Sequence, residues 1–256
     1  MLVICFGMAK SGSTLAFELT KGVLSSAGQD QGKVNSTGLK KRRGGNYIAE
    51  LTRESVTDIV AAIGPDRIVA AKTHKCFEEE DFAWYEDMQA QRKIQVVASY
   101  RDPRDMCLSL VDHGARSREA GQESYAAIED LQDAARLISN AIPKFRRWAA
   151  LTGSLRLYYD TVAFSPDTAI EALEGVLGVE SNREEARKHA FEDSFTQRNK
   201  AQKARFEEDM SEQEKHRMLR KFGAFIEQVC DRNDDQWFSI YRQELLAKSS
   251  AATPIH

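Results

Sequence analysis

Three short stretches hold the residue types that could do chemistry at a useful spacing: Gly7-Met8-Ala9-Lys10-Ser11-Gly12-Ser13-Thr14, Lys72-Thr73-His74, and Arg101-Asp102-Pro103-Arg104-Asp105 with Ser109 a little further on. In the first, glycines and hydroxyl residues surround one lysine, and Leu15-Ala16-Phe17-Glu18-Leu19 then reads as a helix leaving a turn. The opening N–H groups of such a helix have no intrahelical partner, and the positive end of the helix dipole adds to them. A phosphate or sulfate fits there, and Lys10 places a full positive charge beside it. In the second stretch Lys72 is a cation, and His74 is a side chain able to take a proton near neutral pH. In the third, Arg101 gives a planar two-pronged donor and Ser109 one more hydroxyl, which suits a tetrahedral dianion. Arg104 and Asp105 read equally well as an ordinary surface pair.

Each stretch needs an element to position it. Leu2-Val3-Ile4-Cys5-Phe6 is apolar without alternation, the pattern of a strand buried on both faces. Arg67-Ile68-Val69-Ala70-Ala71 reads as a second buried strand that delivers Lys72 and His74 at its C-terminal end. Ile94–Tyr100 reads as a third, ending on Arg101, with Pro103 suited to open the next helix. In open α/β sheets the ligand crevice lies outside the carboxyl ends of the strands, so all three stretches are placed for one site.

The first stretch has the frame G-x-x-x-x-G-K-[ST] of a Walker A loop except that Ser13 stands where the phosphate-gripping lysine belongs, and the lysine sits at position 10. Lys10-Ser11-Gly12-Ser13-Thr14 instead resembles the 5′-phosphosulfate turn of the sulfotransferases, P-K-S-G-T-T-x-L. Lys72-Thr73-His74 resembles the Lys-Thr-His segment of their cytosolic members, and Arg101 through Ser109 matches the family's R-[DN]-P-x-D-x-x-x-S pattern. The resemblance covers residues 2–115 with specific motifs and the remainder loosely.

That resemblance implies a donor, 3′-phosphoadenosine 5′-phosphosulfate (PAPS), and a product, PAP, with no metal expected. It implies that Lys10, Ser11, Gly12, Ser13 and Thr14 hold the 5′-phosphosulfate, that Lys72 contacts the sulfuryl group, that His74 is the general base, and that Arg101 and Ser109 hold the 3′-phosphate. Phe195 would stack on adenine. Where the family carries R-K-G-x-x-G-D-W, this chain has no glycine. Lys200, Lys203 and Arg205 could supply the charge, or form a solvated basic face. Leu15 stands where cytosolic members often place a tryptophan. The rival readings are a nucleotide or small-molecule kinase with a degenerate P-loop, which would want a lysine at position 13, and a nucleotide-binding module with dead chemistry.

The expected fold class is α/β, with a parallel sheet of four or five strands flanked by helices in a P-loop NTPase-like topology, and a helical C-terminal part. The whole chain, 1–256, reads as one sulfotransferase-like domain. Residues 25–46 read as a mobile loop whose run Lys40-Lys41-Arg42-Arg43 is either a solvated charge run or a lid over an anion. Helices are expected over 48–63, 78–92 and 122–151, the last kinked or divided at Pro143. Further on come a strand at 155–159, a helix at 168–177 capped by Gly178, a capping box at Ser211 and Glu214, a helix from Asp234 to Leu246 and a frayed tail at 248–256.

A net charge of −3 over 256 residues argues against a nucleic-acid partner and leaves any anion site local. Cys5, Cys76, Cys107 and Cys230 are widely spread, and read as thiols in a reducing compartment. No apolar run reaches a membrane-spanning length, and with no leader at Met1 the expectation is a cytoplasmic protein without a transmembrane segment. The acceptor and the oligomeric state are not set by the sequence.

Overall fold

The chain runs through β1 (Leu2–Gly7), α1 (Ser13–Ser26), β2 (Leu39–Arg42), β3 (Gly45–Ile48), α2 (Arg53–Ile63), β4 (Val69–Thr73), α3 (Phe82–Ala90), β5 (Ile94–Tyr100), α4 (Pro103–Glu119), α5 (Leu131–Ala149) and β6 (Leu155–Tyr158). It continues through α6 (Tyr159–Phe164), α7 (Pro166–Leu177), α8 (Arg183–Lys188), α9 (Phe206–Asp209), α10 (Glu212–Phe225) and α11 (Asp235–Ala251). These elements come from a computed structural model that describes residues 1–42, 45–194 and 202–251.

One sheet has the order β2-β3-β4-β1-β5-β6. The pairs from β3 through β6 are all parallel, and β2 adds an antiparallel edge by pairing with β3. The sheet therefore has six strands rather than four or five. The two strands not read from sequence are β2 and β3, which fall in and just past the stretch expected to be an irregular loop. The sequence of β2, Leu39-Lys40-Lys41-Arg42, lacks the apolar signature of a core strand because it sits at an edge, where lysine and arginine discourage pairing with another chain.

Leu2, Ile4 and Phe6 of β1 belong to one core cluster, and Val3 and Cys5 to another on the opposite face. A continuous apolar run must divide this way on a pleat covered on both sides. The first cluster takes Phe82 and Tyr85 from α3, Ile138, Phe145 and Trp148 from α5, Phe222 from α10 and Phe238 from α11. The second takes Phe17 and Leu19 from α1 and Ile170 and Leu173 from α7. Pro143 lies inside α5 without dividing it, and the stretch ahead of Leu131 is turn rather than helix. The Gly178 cap, left-handed at φ 69°, and the Ser211/Glu214 capping box both form. The last helix continues to Ala251, past the expected start of the tail.

Register brings the site together. Phe6 lies beside Thr73 of β4, and Gly7 beside Ser99 of β5, so the three central strands end at one edge. Beyond that edge Trp148 donates its indole N–H to the Lys75 carbonyl at 3.1 Å, and Arg147 donates to the Phe77 carbonyl. The chain that follows His74 is thereby fastened to the α5 layer.

Candidate active site

At this edge lies a cavity of about 710 Å³ whose wall includes Lys10, Gly12, Ser13, Thr14, Lys72, His74, Arg101 and Ser109. The three stretches singled out by spacing thus converge. The size suits a nucleotide-scale ligand, since small-molecule pockets run to roughly 300–1,000 Å³. Among the described residues no aspartate or glutamate lines the wall.

The turn between β1 and α1 is shaped by close approach. A Cβ on Gly7 would fall 2.3 Å from the Ser99 hydroxyl, and one on Gly12 would fall 2.3 Å from the Tyr159 ring. Gly12 also stands at φ 78°, the left-handed region that glycine enters without strain, and Lys10 is held at φ 63°. Ser11 is buried and faces inward. Its N–H donates to the Met8 carbonyl at 3.2 Å, and its hydroxyl bonds that same carbonyl at 2.9 Å and the Ser99 hydroxyl at 3.1 Å. Ser11 therefore builds the turn from behind, and the anion-facing donors are those that follow it. No side chain caps α1, whose first internal bond runs from the Ala16 N–H to the Gly12 carbonyl. The N–H groups of Ser13, Thr14 and Leu15 precede that bond and open toward the cavity end of the helix.

Around the turn stand two lysines, each with a carboxylate near enough to act on it, Asp112 for Lys10 and Glu18 for Lys72. Burial pushes Lys72 down to about 8, with Glu18 partly offsetting it, and the Lys72 ammonium donates to the Thr14 hydroxyl at 2.8 Å. Burial together with repulsion from Arg116 brings Lys10 down to about 8, and its ammonium donates to His113 Nδ1 at 2.8 Å. The His113 ring is held neutral by the same forces, its burial and the charges of Lys10 and Arg116. His74 Nδ1 lies 2.7 Å from the Gly7 carbonyl. A carbonyl has no proton to give, so Nδ1 carries the hydrogen and the lone pair of the neutral ring is on Nε2.

Arg101 is buried, and its guanidinium is held on several sides. It donates to Asp105 at 2.9 Å and to the Gln202 carbonyl at 3.1 Å, and its carbon sits 4.2 Å from the centre of the Tyr159 ring. Among the described residues its Nε has no hydrogen-bond partner and is closed to solvent. Arg104 and Asp105 are not a pair. Arg104 bridges Asp102, the cap of α4, and lies over the Phe206 ring, while Asp105 is buried between Arg101 and the Phe206 N–H.

Two observations fit a sulfated or phosphorylated nucleotide: the glycine cradle and, among the described residues, a wall with cations but no carboxylates. Of the basic residues expected to replace the missing glycine motif, Arg205 is engaged by Asp112 and Asp209 and Lys203 lies over the Phe164 ring, and neither lines the cavity. Phe195 and Lys200 lie outside the described residues. Tyr159, His113 and Arg116 line the cavity without having been singled out in sequence. The last two sit four and seven residues after Ser109 on α4, a helical spacing that puts them on its face, and this was the available signal.

No protein-family model matches the chain, and no curated protein matches it. Among solved structures it is similar to retinol dehydratase, crystallised with androsterone and the inactive cofactor PAP, at 13% identity over 88% of this chain and 80% of that one, with a TM-score of 0.50. The likeness is one of fold. The shared architecture is α/β, with six mostly parallel strands flanked by helices. Among the described residues no cluster of histidine, cysteine, aspartate and glutamate is arranged to hold a metal ion, and no helix is long and apolar enough to cross a membrane.

Proposed function

We propose that the chain is one sulfotransferase-like domain that moves a sulfuryl group from PAPS to a hydroxyl or amine. The observation that carries this reading is the convergence of the β1–α1 turn, Lys72, His74, Arg101 and Ser109 on one cavity without carboxylates. The fold it shares with a PAP-bound neighbour supports it.

In this reading the N–H groups after Ser11 and the Lys10 ammonium take the 5′-phosphosulfate, and Arg101 and Ser109 take the 3′-phosphate. The acceptor oxygen or nitrogen attacks sulfur in line while the bond from sulfur to the bridging oxygen breaks. PAP leaves with that electron pair, and the acceptor proton passes to His74 Nε2. Charge grows on the bridging and equatorial oxygens, where Lys10 and Lys72 stand already oriented by His113 and Thr14. Preorganised cations of this kind stabilise such a transition state electrostatically. Ser13, in the place of a Walker A lysine, speaks against the kinase alternative.

The test is calorimetric binding of PAP, without magnesium, to the wild type, Lys10→Ala and Arg101→Ala. Each substitution is expected to weaken binding by about 1.5–3 kcal/mol, the worth of a hydrogen bond to a charged group. Folded wild type that does not bind PAP removes this reading and turns attention to ATP with magnesium. Binding without turnover of the donor leaves the nucleotide-binding module.

A further inference from the structure

The Lys10 ammonium lies 2.8 Å from His113 Nδ1, and both residues line the cavity. An ammonium has only hydrogens to give, so Nδ1 supplies a lone pair and the His113 ring is neutral, with its hydrogen on Nε2. His74 is the opposite tautomer, since its Nδ1 donates to the Gly7 carbonyl. Of these two imidazoles, one keeps its lone pair free on Nε2 and the other commits it to a lysine.

The pair sits in a fixed frame. Arg118 donates to the carbonyls of Ala126 and Ile128, both at 2.8 Å, and a Cβ on Gly114 would fall 2.2 Å from the Ile128 carbonyl. The loop after α4 is thereby held against the helix that carries His113. It brings Tyr125, at φ 61°, a conformation costly for an aromatic residue, to within 5.6 Å of the Lys10 ammonium measured from the ring centre. The His113 ring meets the same tyrosine edge-on at 5.1 Å.

A lysine has a long, flexible stem and gives up rotamer freedom when it is fixed. A carboxylate could fix it, but would cancel the charge that an anion needs. Asp112 is near enough to draw on Lys10, yet its oxygens accept from Arg205 at 2.6 and 3.3 Å, and among the described residues it makes no hydrogen bond to Lys10. The direct contact falls to the imidazole next to it in sequence. Arg116 repels the same ammonium, and the bond to His113 holds it against that push.

We infer that His113 is a positioning residue for the transfer: a neutral acceptor that fixes Lys10 for the incoming donor and leaves the charge of the lysine whole. This rests on the sulfotransferase reading, and it adds a working residue outside the three stretches that the sequence singles out. His113 uses one hydrogen of the ammonium, and the others remain for the oxygens of the phosphosulfate.

The experiment is calorimetric binding of PAP, without magnesium, to the full chain and to three variants at His113, each shown to be folded by its melting curve. Asparagine keeps a neutral acceptor near the place of Nδ1, aspartate has the same shape with a charge, and phenylalanine keeps a ring against Tyr125 but accepts nothing. His113→Asn is expected to stay within about threefold of the wild type, and His113→Phe to bind about three- to tenfold more weakly, the cost of ordering one long side chain on binding. His113→Asp is expected to fall at least about tenfold below His113→Asn, the scale of one charge-assisted contact. In a Lys10→Ala background, His113→Phe is expected to have no further effect, because His113 acts through Lys10. Wild-type affinity in His113→Phe with a loss in His113→Asn would assign the ring to packing. Equal affinities of His113→Asn and His113→Asp would show that sparing the charge is not its role, and an undiminished effect of His113→Phe without Lys10 would put His113 on the donor itself. Each of these overturns the inference and leaves the donor site standing. A wild type that binds no PAP removes the sulfotransferase reading, and this inference with it.

Discussion

His74 Nδ1 donates to the Gly7 carbonyl across 2.7 Å, so the residue that follows β4 is latched to the last residue of β1, the strand that leads into the anion-binding turn. The latch fixes the ring tautomer and leaves the lone pair on Nε2. Replacing His74 by alanine removes the proposed base but none of the proposed donor contacts. Donor turnover is expected to fall by about 10²–10⁴-fold, the usual worth of a general base, with PAP affinity unchanged. A His74→Ala protein that turns over labelled PAPS at the wild-type rate would show that the proton goes elsewhere.

Lys72 carries a cost that the proposed chemistry would account for. Its amine is pushed to about 8, chiefly by burial, whereas an unfolded lysine titrates near 10.5. Between those two values the unfolded chain binds the extra proton, so stability rises with pH across that window, and the cost is fully present below it. Lys72→Met removes the buried charge along with its bond to Thr14. The variant is expected to be more stable than wild type at pH 7 by roughly 1–2 kcal/mol, after the lost hydrogen bond and partial solvation are discounted, and to be inactive. The gap should close as pH rises past about 8. Denaturant titrations at several pH values measure this, and a variant less stable at pH 7 would contradict it.

The parts of this molecule that sequence revealed are those whose chemistry is local. β1 and β5 are continuous apolar runs, so the strands, and the placing of the candidate residues at their ends, could be read directly. β2 and β3 could not, because a charged edge strand has the composition of a loop and is defined only by its partner. Arg205 has the charge to suit a phosphate, but Asp112, distant in sequence, claims it, and Tyr159 matters through a ring face that meets both Gly12 and Arg101. Such pairings depend on tertiary neighbours that no single stretch displays.

Gly12 gives a sharp test of the cradle. Alanine there must adopt φ 78° and bring its Cβ within 2.3 Å of the Tyr159 ring, which in turn supports Arg101. The left-handed conformation alone costs of order 1–3 kcal/mol at a non-glycine residue, and the ring has to move as well. Gly12→Ala is expected to lower stability by that amount and to weaken PAP binding more than tenfold, since both anion subsites are disturbed together. Crystals of the variant with an unmoved Tyr159, or unchanged PAP affinity, would mean that the turn is less constrained than its contacts imply.

Glu18 is the buried charge on α1 that the proposed chemistry leaves unused. Its carboxylate accepts from Lys21 at 2.9 Å and from His189 and Ser194, both at 3.1 Å. Burial alone would raise its pKa, but the bonds from His189, Lys21 and Ser194 outweigh it and leave the group below the ordinary value of 4.5. The folded state thus favours the ionised form, so its contribution is complete above the ordinary glutamate range and is lost as pH falls through the depressed value. Glu18→Gln keeps the shape and discards the charge, and is expected to cost roughly 1–3 kcal/mol at pH 7. That difference should shrink in acid, and stability curves that stay parallel there would refute the linkage.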